Sequence, residues 1–200
     1  MRAASLRVEV LRARDSGSEE ELLSRAQAGD AEAFRVIFDR QSPGVRRFLG
    51  DLLRHDSAAD EATQETFVRA WHRLSTLQQA DKLQGWLLGI ARMVFLEQLR
   101  RKRRDGPSPE PEAAPLQIDC GPTPEAMLLS GEADRMLAGA LADLSQERRT
   151  ALLMRLDHGL GYGDIASAMG WPLQKVKNEI HRARLQLRER LAGYLGEGAQ

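Results

Sequence analysis

The stretch from Gly159 to Arg190, GLGYGDIASAMGWPLQKVKNEIHRARLQLRER, constrains the fold of this chain more than any other. Ile165 and Met169 are four residues apart, which places them on one apolar face of a helix. Gly170 is suited to a turn, and Pro172 suits the first turn of a second helix, because the N–H that proline lacks has no partner there. This pattern predicts a helix-turn-helix.

The second helix of this motif has two chemically different sides. Val176, Ile180 and Leu187 are spaced as a buried stripe. The positions between them carry hydrogen-bond donors: Lys175, Lys177, Asn178, His181, Arg182, Arg184 and Arg188. Such side chains bind phosphates and base edges in the major groove, so the pattern indicates DNA binding. The alternative is a helical hairpin whose second helix has only a solvated basic face.

The charge of the chain is unevenly distributed. The formal net charge is zero, which would argue against nucleic-acid binding if the charges were mixed along the sequence. However, Arg100 to Arg104 are five consecutive cations, whereas Asp105 to Glu147 contains nine acids and one arginine. The sequence therefore predicts two basic surfaces separated by an acidic middle.

Apolar residues recur three and four apart in the long segments, and strand-like alternation is absent, so we expect an all-α protein. Six of the eight prolines lie between Asp105 and Glu125, a stretch that has no basic residue. We predict a disordered tail over 1–18, a helical domain over 19–104, a flexible acidic linker over 105–123 and a helix-turn-helix domain over 124–200. The linker would leave the two domains without a fixed relative orientation.

Local signals predict where several helices begin. The expected N-caps are Ser18, Asp30, Ser57 and Ser145, and Pro124 is expected to open a further helix after the linker. At Pro43, which precedes a glycine, we expect the second helix to kink or restart.

Several classes of protein are excluded by what the sequence lacks. Cys120 is the single cysteine and has no Cys or His neighbour, which argues against a disulfide scaffold or a zinc site. The four histidines share no metal-ligand spacing, and there is no phosphate loop or nucleophile elbow, so we expect neither a cofactor nor an enzyme. No run of 18 apolar residues is present, and the first 18 residues are not a signal peptide, so we interpret them as a tail or a late start site.

Four short motifs occur in a fixed order along the chain. They are AGDAEAF at Ala28–Phe34, QETF at Gln64–Phe67, GWLLGIAR at Gly85–Arg92 and HRAR at His181–Arg184. Together with the order of helical domain, acidic linker and helix-turn-helix, they make the chain resemble, over residues 19 to 195, an extracytoplasmic-function (ECF) sigma factor of the sigma-70 family. The two domains would then be similar to sigma regions 2 and 4.

The resemblance implies that the chain binds core RNA polymerase and directs it to promoters. In this family the first domain grips the clamp coiled coil of the largest subunit and melts the downstream promoter element, and the second domain contacts the flap of the second largest subunit. Asp60, Gln64 and Glu65 match the clamp-binding helix, and Phe67 and Trp71 shape it. The alternative for the three polar residues is a plain solvated helix face.

The resemblance also implies where the melted downstream element binds. The loop from Leu77 to Gln84 and the following helix match the part that captures a flipped base, and this part includes Leu77, Trp86 and Met93. Phosphates of the opened DNA would bind Arg92, Arg100, Arg101 and Arg103. The family usually has an aromatic residue in place of Leu77 and an asparagine in place of Met93. Met93 could instead be a core or rim residue.

In the second domain, the resemblance assigns the upstream (minus 35) element to the second helix of the motif. Lys177, Asn178, His181 and Arg182 would face bases, and Lys175, Arg184 and Arg188 would bind phosphates. Relatives often carry GTVKSRLHRAR, whereas this chain has Asn178-Glu179 in place of Ser-Arg. Glu179 could accept a hydrogen bond from a cytosine amino group, or it could pair with Arg182 or Arg184 and touch no DNA.

The resemblance further implies a cytoplasmic protein that joins the nucleoid when bound to polymerase and is controlled by an anti-sigma factor, which in some cases is anchored in the membrane. It implies no small-molecule substrate and no direct membrane insertion. Two other functions remain open. One is a stand-alone helix-turn-helix regulator whose first domain senses a ligand or dimerises, and the other is a helical adaptor whose basic faces bind anionic surfaces.

Overall fold

The computed structural model describes residues 18–104, 137 and 139–197, apart from the side chains of residues 102, 103 and 193–197. These residues form helices and turns, which confirms the all-helical prediction for the described part of the chain. The predicted tail before Ser18, the linker over 105–123 with Cys120, and the helix expected to open at Pro124 lie outside it. None of the described helices has the length and apolar character needed to cross a membrane.

The first domain contains four helices around one core. They are α1 (Glu19–Gln27), α2 (Ala31–Leu53), α3 (Asp56–Arg73) and α4 (Leu83–Arg104), and two 3₁₀ turns, Leu74–Thr76 and Ala80–Lys82, connect α3 to α4. Helix α2 packs against the other three, and its Phe48, Leu49 and Leu52 are fully buried beside Phe95 of α4. Burial of aromatic and leucine side chains at this density is the main stabilising term of such a domain.

Two of the three predicted N-caps in this domain are confirmed. The hydroxyl of Ser18 accepts a hydrogen bond from the Glu21 N–H at 3.2 Å, and the Asp30 carboxylate accepts from the N–H groups of Glu32 and Ala33. The prediction for Ser57 is wrong. Helix α3 begins at Asp56 with His55 at the N-cap position, so Ser57 lies inside the helix, and its hydroxyl lies 3.1 Å from Nδ1 of His55 rather than on a backbone N–H.

The predicted restart at Pro43 is wrong, because α2 continues from Ala31 to Leu53 with Pro43 inside it, whereas the alternative of a kink stays a prediction. Residues on both sides of the proline, such as Ile37 and Val45, are buried in the same core. This packing stabilises a continuous helix despite the hydrogen bond that proline cannot donate.

The second domain contains a helical segment over residues 139–142, then α5 (Gln146–Leu156), α6 (Tyr162–Met169) and α7 (Leu173–Glu197). Ser145 caps α5, as predicted, by accepting from the Arg148 N–H at 3.4 Å. Gly170 has φ +64°, a left-handed conformation that glycine adopts without strain, and it turns the chain between α6 and α7. The predicted helix-turn-helix is therefore present as α6 and α7.

The two domains pack against each other, in contrast to the absence of a fixed orientation predicted from the linker. Helix α6 crosses α4 at two glycines that lie one turn apart. A Cβ atom built on Gly85 would lie 3.3 Å from Cβ of Asp164, and one built on Gly89 would lie 3.3 Å from Cα of Ala168. Lys82 and Asp164 form an ion pair of 3.1 Å at the edge of this contact. The sequence alone could not reveal this contact between α4 and α6, because glycines within a helix that form no turn give no local signal of what packs against them.

A second contact between the domains carries titratable groups. The ring of His158, at the end of α5, is buried against Phe48 of α2 with ring centroids 5.7 Å apart, and its Nε2 has no hydrogen-bond partner among the described residues. Burial, together with the charge of Arg47, lowers the pKa of His158. Burial and the negative charge of Asp157 raise the pKa of Asp51 to about 6, and these effects exceed the opposing influence of Arg47 and Arg54.

The α4–α6 contact predicts a disulfide between the domains. In the double variant Gly89→Cys, Ala168→Cys, made with Cys120→Ser, the two Cβ atoms would be about 3.6 Å apart, which lies within the usual range for a disulfide. We expect an intramolecular cross-link on mild oxidation, measured by non-reducing electrophoresis and mass spectrometry. Gly50→Cys with Ala168→Cys is the matched control, because a Cβ at Gly50 contacts nothing. Equal cross-linking of the two variants, or of neither, would contradict the domain packing.

The proximity of Asp51 and Asp157 predicts that Asp51→Asn raises the free energy of unfolding by an amount that depends on pH. Because the pKa of Asp51 is raised to about 6, its stabilising contribution is present in acid and is lost as the pH rises through 6. After allowance for solvent screening of a half-buried group, the variant should be more stable than wild type by about 1 kcal/mol at pH 7.5. The difference should vanish near pH 4, as measured by denaturant unfolding.

His158 is present in both proteins, so its opposite pH dependence cancels from this difference. Asp39→Asn, at an exposed position of the same helix, is the control and should show no such trend. A constant difference between Asp51→Asn and wild type from pH 4 to pH 7.5 would show that the Asp51–Asp157 pair does not oppose the packed arrangement.

Candidate nucleic-acid interface

Four of the predicted DNA-contacting side chains form one cationic stripe on α7. Lys177, His181, Arg184 and Arg188 follow each other at intervals of four, three and four residues, which places them on one face of a helix. All four are exposed, and none forms an ion pair or hydrogen bond with another described residue. The stripe therefore presents uncompensated donors to solvent, as phosphate and base recognition requires.

The other three predicted side chains on α7 already have partners. The Lys175 ammonium lies 3.9 Å from the centre of the Trp171 ring and 3.8 Å from Glu147. Nine residues separate Lys175 from Arg184, which is half a turn around the helix, so the predicted phosphate set is divided between two flanks. The Asn178 side chain accepts from Gln174 at 3.1 Å, and Arg182 donates to Glu179 at 3.1 Å.

Glu179 takes the second of the two roles left open by the sequence. Its carboxylate accepts from the Arg148 side chain at 2.7 Å as well as from Arg182, and only 16% of its side chain is exposed. Hydrogen bonding from Arg148 is the main cause of the lowered pKa of Glu179. Arg148 lies 31 residues earlier in the sequence, so no local pattern could have identified it as a partner.

The residues predicted to capture the melted strand line a cavity of about 800 Å³ between the domains. Leu77, Trp86 and Met93 contribute to one side of it, and Asp164 and Ser167 of α6 contribute to the other. Leu77 is a buried wall residue, only 6% exposed, whereas Met93 is 43% exposed. The structure thus makes Met93 a rim residue rather than a core residue. The first helix of the helix-turn-helix faces the pocket that would hold the base.

The loop before this cavity is held by a residue that sequence analysis missed. The Gln27 amide donates to the carbonyl oxygens of Leu74 and Leu77, at 3.0 and 2.7 Å. These hydrogen bonds span about fifty residues of sequence and fix the loop on α1. The glutamine directly precedes the AGDAEAF motif, but its partners are visible only in the folded chain.

The basic end of α4 extends beyond the cavity. Arg92 is half-buried, and burial lowers its pKa, whereas Arg100 and Arg101 are exposed. Arg103 belongs to the same helix, but its side chain lies outside the described part of the structure. The exposed arginines are therefore placed to continue a path for an anionic strand along α4.

The predicted polymerase-binding residues lie on the outer side of α3. Asp60 pairs with Arg46 of α2, Gln64 is exposed, and Glu65 accepts from Arg69 at 2.7 Å. Phe67 is buried, and Trp71 packs edge-on against Phe34 with ring centroids 4.9 Å apart. These aromatic side chains hold the helix in place, as the shaping role requires.

An apolar residue on this same face of α3 was missed. Val68 is 53% exposed, four residues after Gln64, and lies out of phase with the buried positions Thr63, Thr66 and Phe67. Arg69 also donates two hydrogen bonds, of 2.9 and 2.7 Å, to Glu97 of α4, so the helix carrying Val68 is firmly attached to the domain. Val68 therefore adds one exposed apolar side chain to the polar face that carries Asp60, Gln64 and Glu65.

Both domains match models of one protein family. Residues 37–105 match the model described as Sigma-70 region 2, and residues 134–187 match the model described as Sigma-70, region 4. The first match contains α3, the cavity-forming loop and α4, and the second contains α5, α6 and most of α7.

Curated relatives agree with these matches. The chain is 34% identical over 169 residues to the ECF RNA polymerase sigma factor SigE of Mycolicibacterium smegmatis, a match covering 84% of this chain and 64% of that protein. It is 28% identical over 183 residues to the ECF RNA polymerase sigma-E factor of Haemophilus influenzae, covering 87% of this chain and 95% of that protein. The chain thus spans somewhat less than two thirds of the first relative and nearly all of the second.

A solved structure shares the fold. It is the co-crystal structure of the sigma factor RpoE in complex with the anti-sigma factor NepR from Bartonella quintana. The sequence identity is 26% and the TM-score 0.61, and the match covers 80% of this chain and 96% of that chain.

Proposed function

We propose, from the premise that this chain belongs to the sigma-70 family and within it to the ECF RNA polymerase sigma factors, that it binds core RNA polymerase and directs initiation at specific promoters. The observation that carries this proposal is the presence of two exposed basic surfaces, on α4 and α7, in domains that match sigma regions 2 and 4 in the family's order. In this role the protein is an initiation factor and not an enzyme.

The first domain would attach the protein to polymerase through the outer face of α3. Gln64 and Glu65 would contact the clamp of the largest subunit, with Asp60 at the edge and Val68 as the apolar centre. An interface of this kind combines a desolvated apolar centre with a polar rim, and Val68 would supply an apolar contact among the polar ones. The second domain would bind the flap of the second largest subunit.

The same two domains would divide the promoter between them. The cavity beside Trp86 and Met93 would receive an unpaired base of the downstream element, and Arg100 and Arg101 would bind the adjacent phosphates. The α7 stripe of Lys177, His181, Arg184 and Arg188 would lie in the major groove of the upstream element.

The packed domain arrangement implies that the free chain cannot use its downstream site. The cavity could admit a single base, but α6, which forms one of its walls through Asp164 and Ser167, would obstruct the DNA strand on either side of that base. Polymerase binding would therefore have to separate the domains. Because a relative of the same fold was solved with an anti-sigma factor, we also propose an anti-sigma partner for this chain and a cytoplasmic location.

Transcription with purified polymerase tests the function. Core enzyme with the protein should give transcripts from defined start sites, whereas the protein alone should bind the same promoter only weakly. A stand-alone regulator would instead footprint its operator without polymerase, and a helical adaptor would do neither. The oxidised Gly89→Cys, Ala168→Cys variant should lose initiation and recover it on reduction, whereas Gly50→Cys with Ala168→Cys should stay active throughout.

Val68→Asp tests the α3 surface. Because the valine is 53% exposed, a charge there should change the free energy of unfolding by no more than about 0.5 kcal/mol. It should lower the affinity for core polymerase by roughly tenfold, since an apolar contact would be replaced by a desolvated charge. Ser24→Asp on α1 adds the same charge at an exposed position of the same domain and should leave the affinity unchanged. Equal affinities of the two variants would exclude α3 as the binding surface.

A further inference from the structure

Glu179, on α7, lies between two arginines: Arg148 on α5 and Arg182 on α7 itself. One carboxylate oxygen accepts from Nε of Arg148 on α5 at 2.7 Å, and the other accepts from Nη1 of Arg182, one turn further along α7, at 3.1 Å. The carboxylate is mostly buried, whereas 61% of the Arg182 side chain is exposed. Glu179 is therefore fixed on the domain, and Arg182 reaches away from it into solvent.

This pair belongs to a row of polar contacts along one flank of α7. Lys175 pairs with Glu147, Gln186 donates to the carbonyl oxygen of Asp143, and Arg190 pairs with the Asp143 carboxylate. These contacts all join α7 to the beginning of α5 or the residues just before it. They hold this flank against the domain, while the cationic stripe on another face of α7 remains open. Glu179 is directed toward α5 from this position, with only 16% of its side chain exposed.

Arg182 is the member of this group that can reach DNA. A guanidinium reads a guanine through two parallel hydrogen bonds to O6 and N7, and this geometry requires a fixed orientation of the fork. An unrestrained arginine on a helix surface samples many rotamers, and ordering it opposes binding. The contact with Glu179 restricts those rotamers in the free protein and leaves the other guanidinium nitrogens available.

We propose that Glu179 is a positioning residue for promoter recognition, which holds Arg182 in the orientation that reads a guanine at one base pair of the upstream element. The carboxylate, which Arg148 shares, also offsets part of the charge of Arg182, so this arginine contributes more to base preference than to general attraction to phosphates. The inference rests on the proposed function and extends it to the specificity of one position. It explains why a carboxylate occupies a position where relatives often carry arginine.

The test uses holoenzyme assembled from core polymerase and the full chain, with promoters carrying each of the four base pairs at each upstream position. Wild type should prefer guanine at one position, and Arg182→Ala should abolish that preference. Glu179→Gln should reduce the preference about tenfold, as expected for a bidentate contact that loses its orientation. The double variant should lose no more than Arg182→Ala alone, because both changes act on one contact.

Two further measurements distinguish positioning from structural support. In Glu179→Gln the freed Arg182 should bind phosphate, so the dependence of DNA affinity on salt concentration should steepen by about one counterion. Arg148→Gln breaks the same α5–α7 bond and should lower thermal stability similarly, yet it should retain more of the base preference. Glu147→Gln, which removes the longer contact with Lys175 and leaves Glu179 and Arg182 in place, should keep the wild-type base preference.

The inference is overturned if Glu179→Gln keeps the wild-type preference and salt dependence, or if Arg148→Gln loses the preference equally. It is also overturned if Arg182→Ala and Glu179→Gln change the base preference at different positions of the upstream element. Failure of wild-type holoenzyme to initiate at any promoter would be a separate result, because it would contradict the proposed function itself.

Discussion

The arrangement of the whole molecule depends on the close approach of α4 and α6 at Gly85 and Gly89. With hydrogen in place of a side chain, each glycine lets the backbone of one helix contact the other, at Asp164 and Ala168. A single Cβ at either position, 3.3 Å from its nearest neighbour, needs a shift of only a few tenths of an ångström, whereas a bulky side chain would force the helices apart. This one contact places the first helix of the helix-turn-helix over the cavity that would hold DNA. It thereby connects the two predicted DNA surfaces in a single structure.

The parts of the fold that sequence analysis predicted correctly are those determined by neighbouring residues. Asp30, Ser145 and Gly170 act within one helical turn, so their caps and turn could be recognised locally. Pro43 failed as a predictor of a helix restart because packing from elsewhere in the chain keeps α2 continuous. Candidate site residues could be placed on helices, but their partners could not. Contacts such as Gln27 with Leu77 or Arg148 with Glu179 depend on how distant helices meet.

The distribution of partners among charged residues explains how a chain of zero net charge can present a basic surface. On one flank of α7, carboxylates of Glu147, Glu179 and Asp143 neutralise the cations opposite them. Three arginine and lysine positions about half a turn away around α7, together with His181, have no such neighbours among the described residues. Local potential at a surface depends on these pairings rather than on the total. The acidic residues of the second domain therefore confine the positive electrostatic potential of α7 to the side that carries Lys177, Arg184 and Arg188.

The contact between the domains combines attraction with opposing terms. The Lys82–Asp164 pair is exposed, and such pairs contribute only about 0–1 kcal/mol. Against it stand the unpartnered Nε2 of buried His158, which costs about 1–3 kcal/mol, and the repulsion of Asp51 by Asp157 near neutral pH. A partner that binds only the separated domains shifts a two-state equilibrium from 1:99 to 99:1 with about 5.5 kcal/mol of differential affinity. His158 and Asp51 destabilise the contact between the two domains. The binding energy of an ordinary protein interface is then enough to separate them.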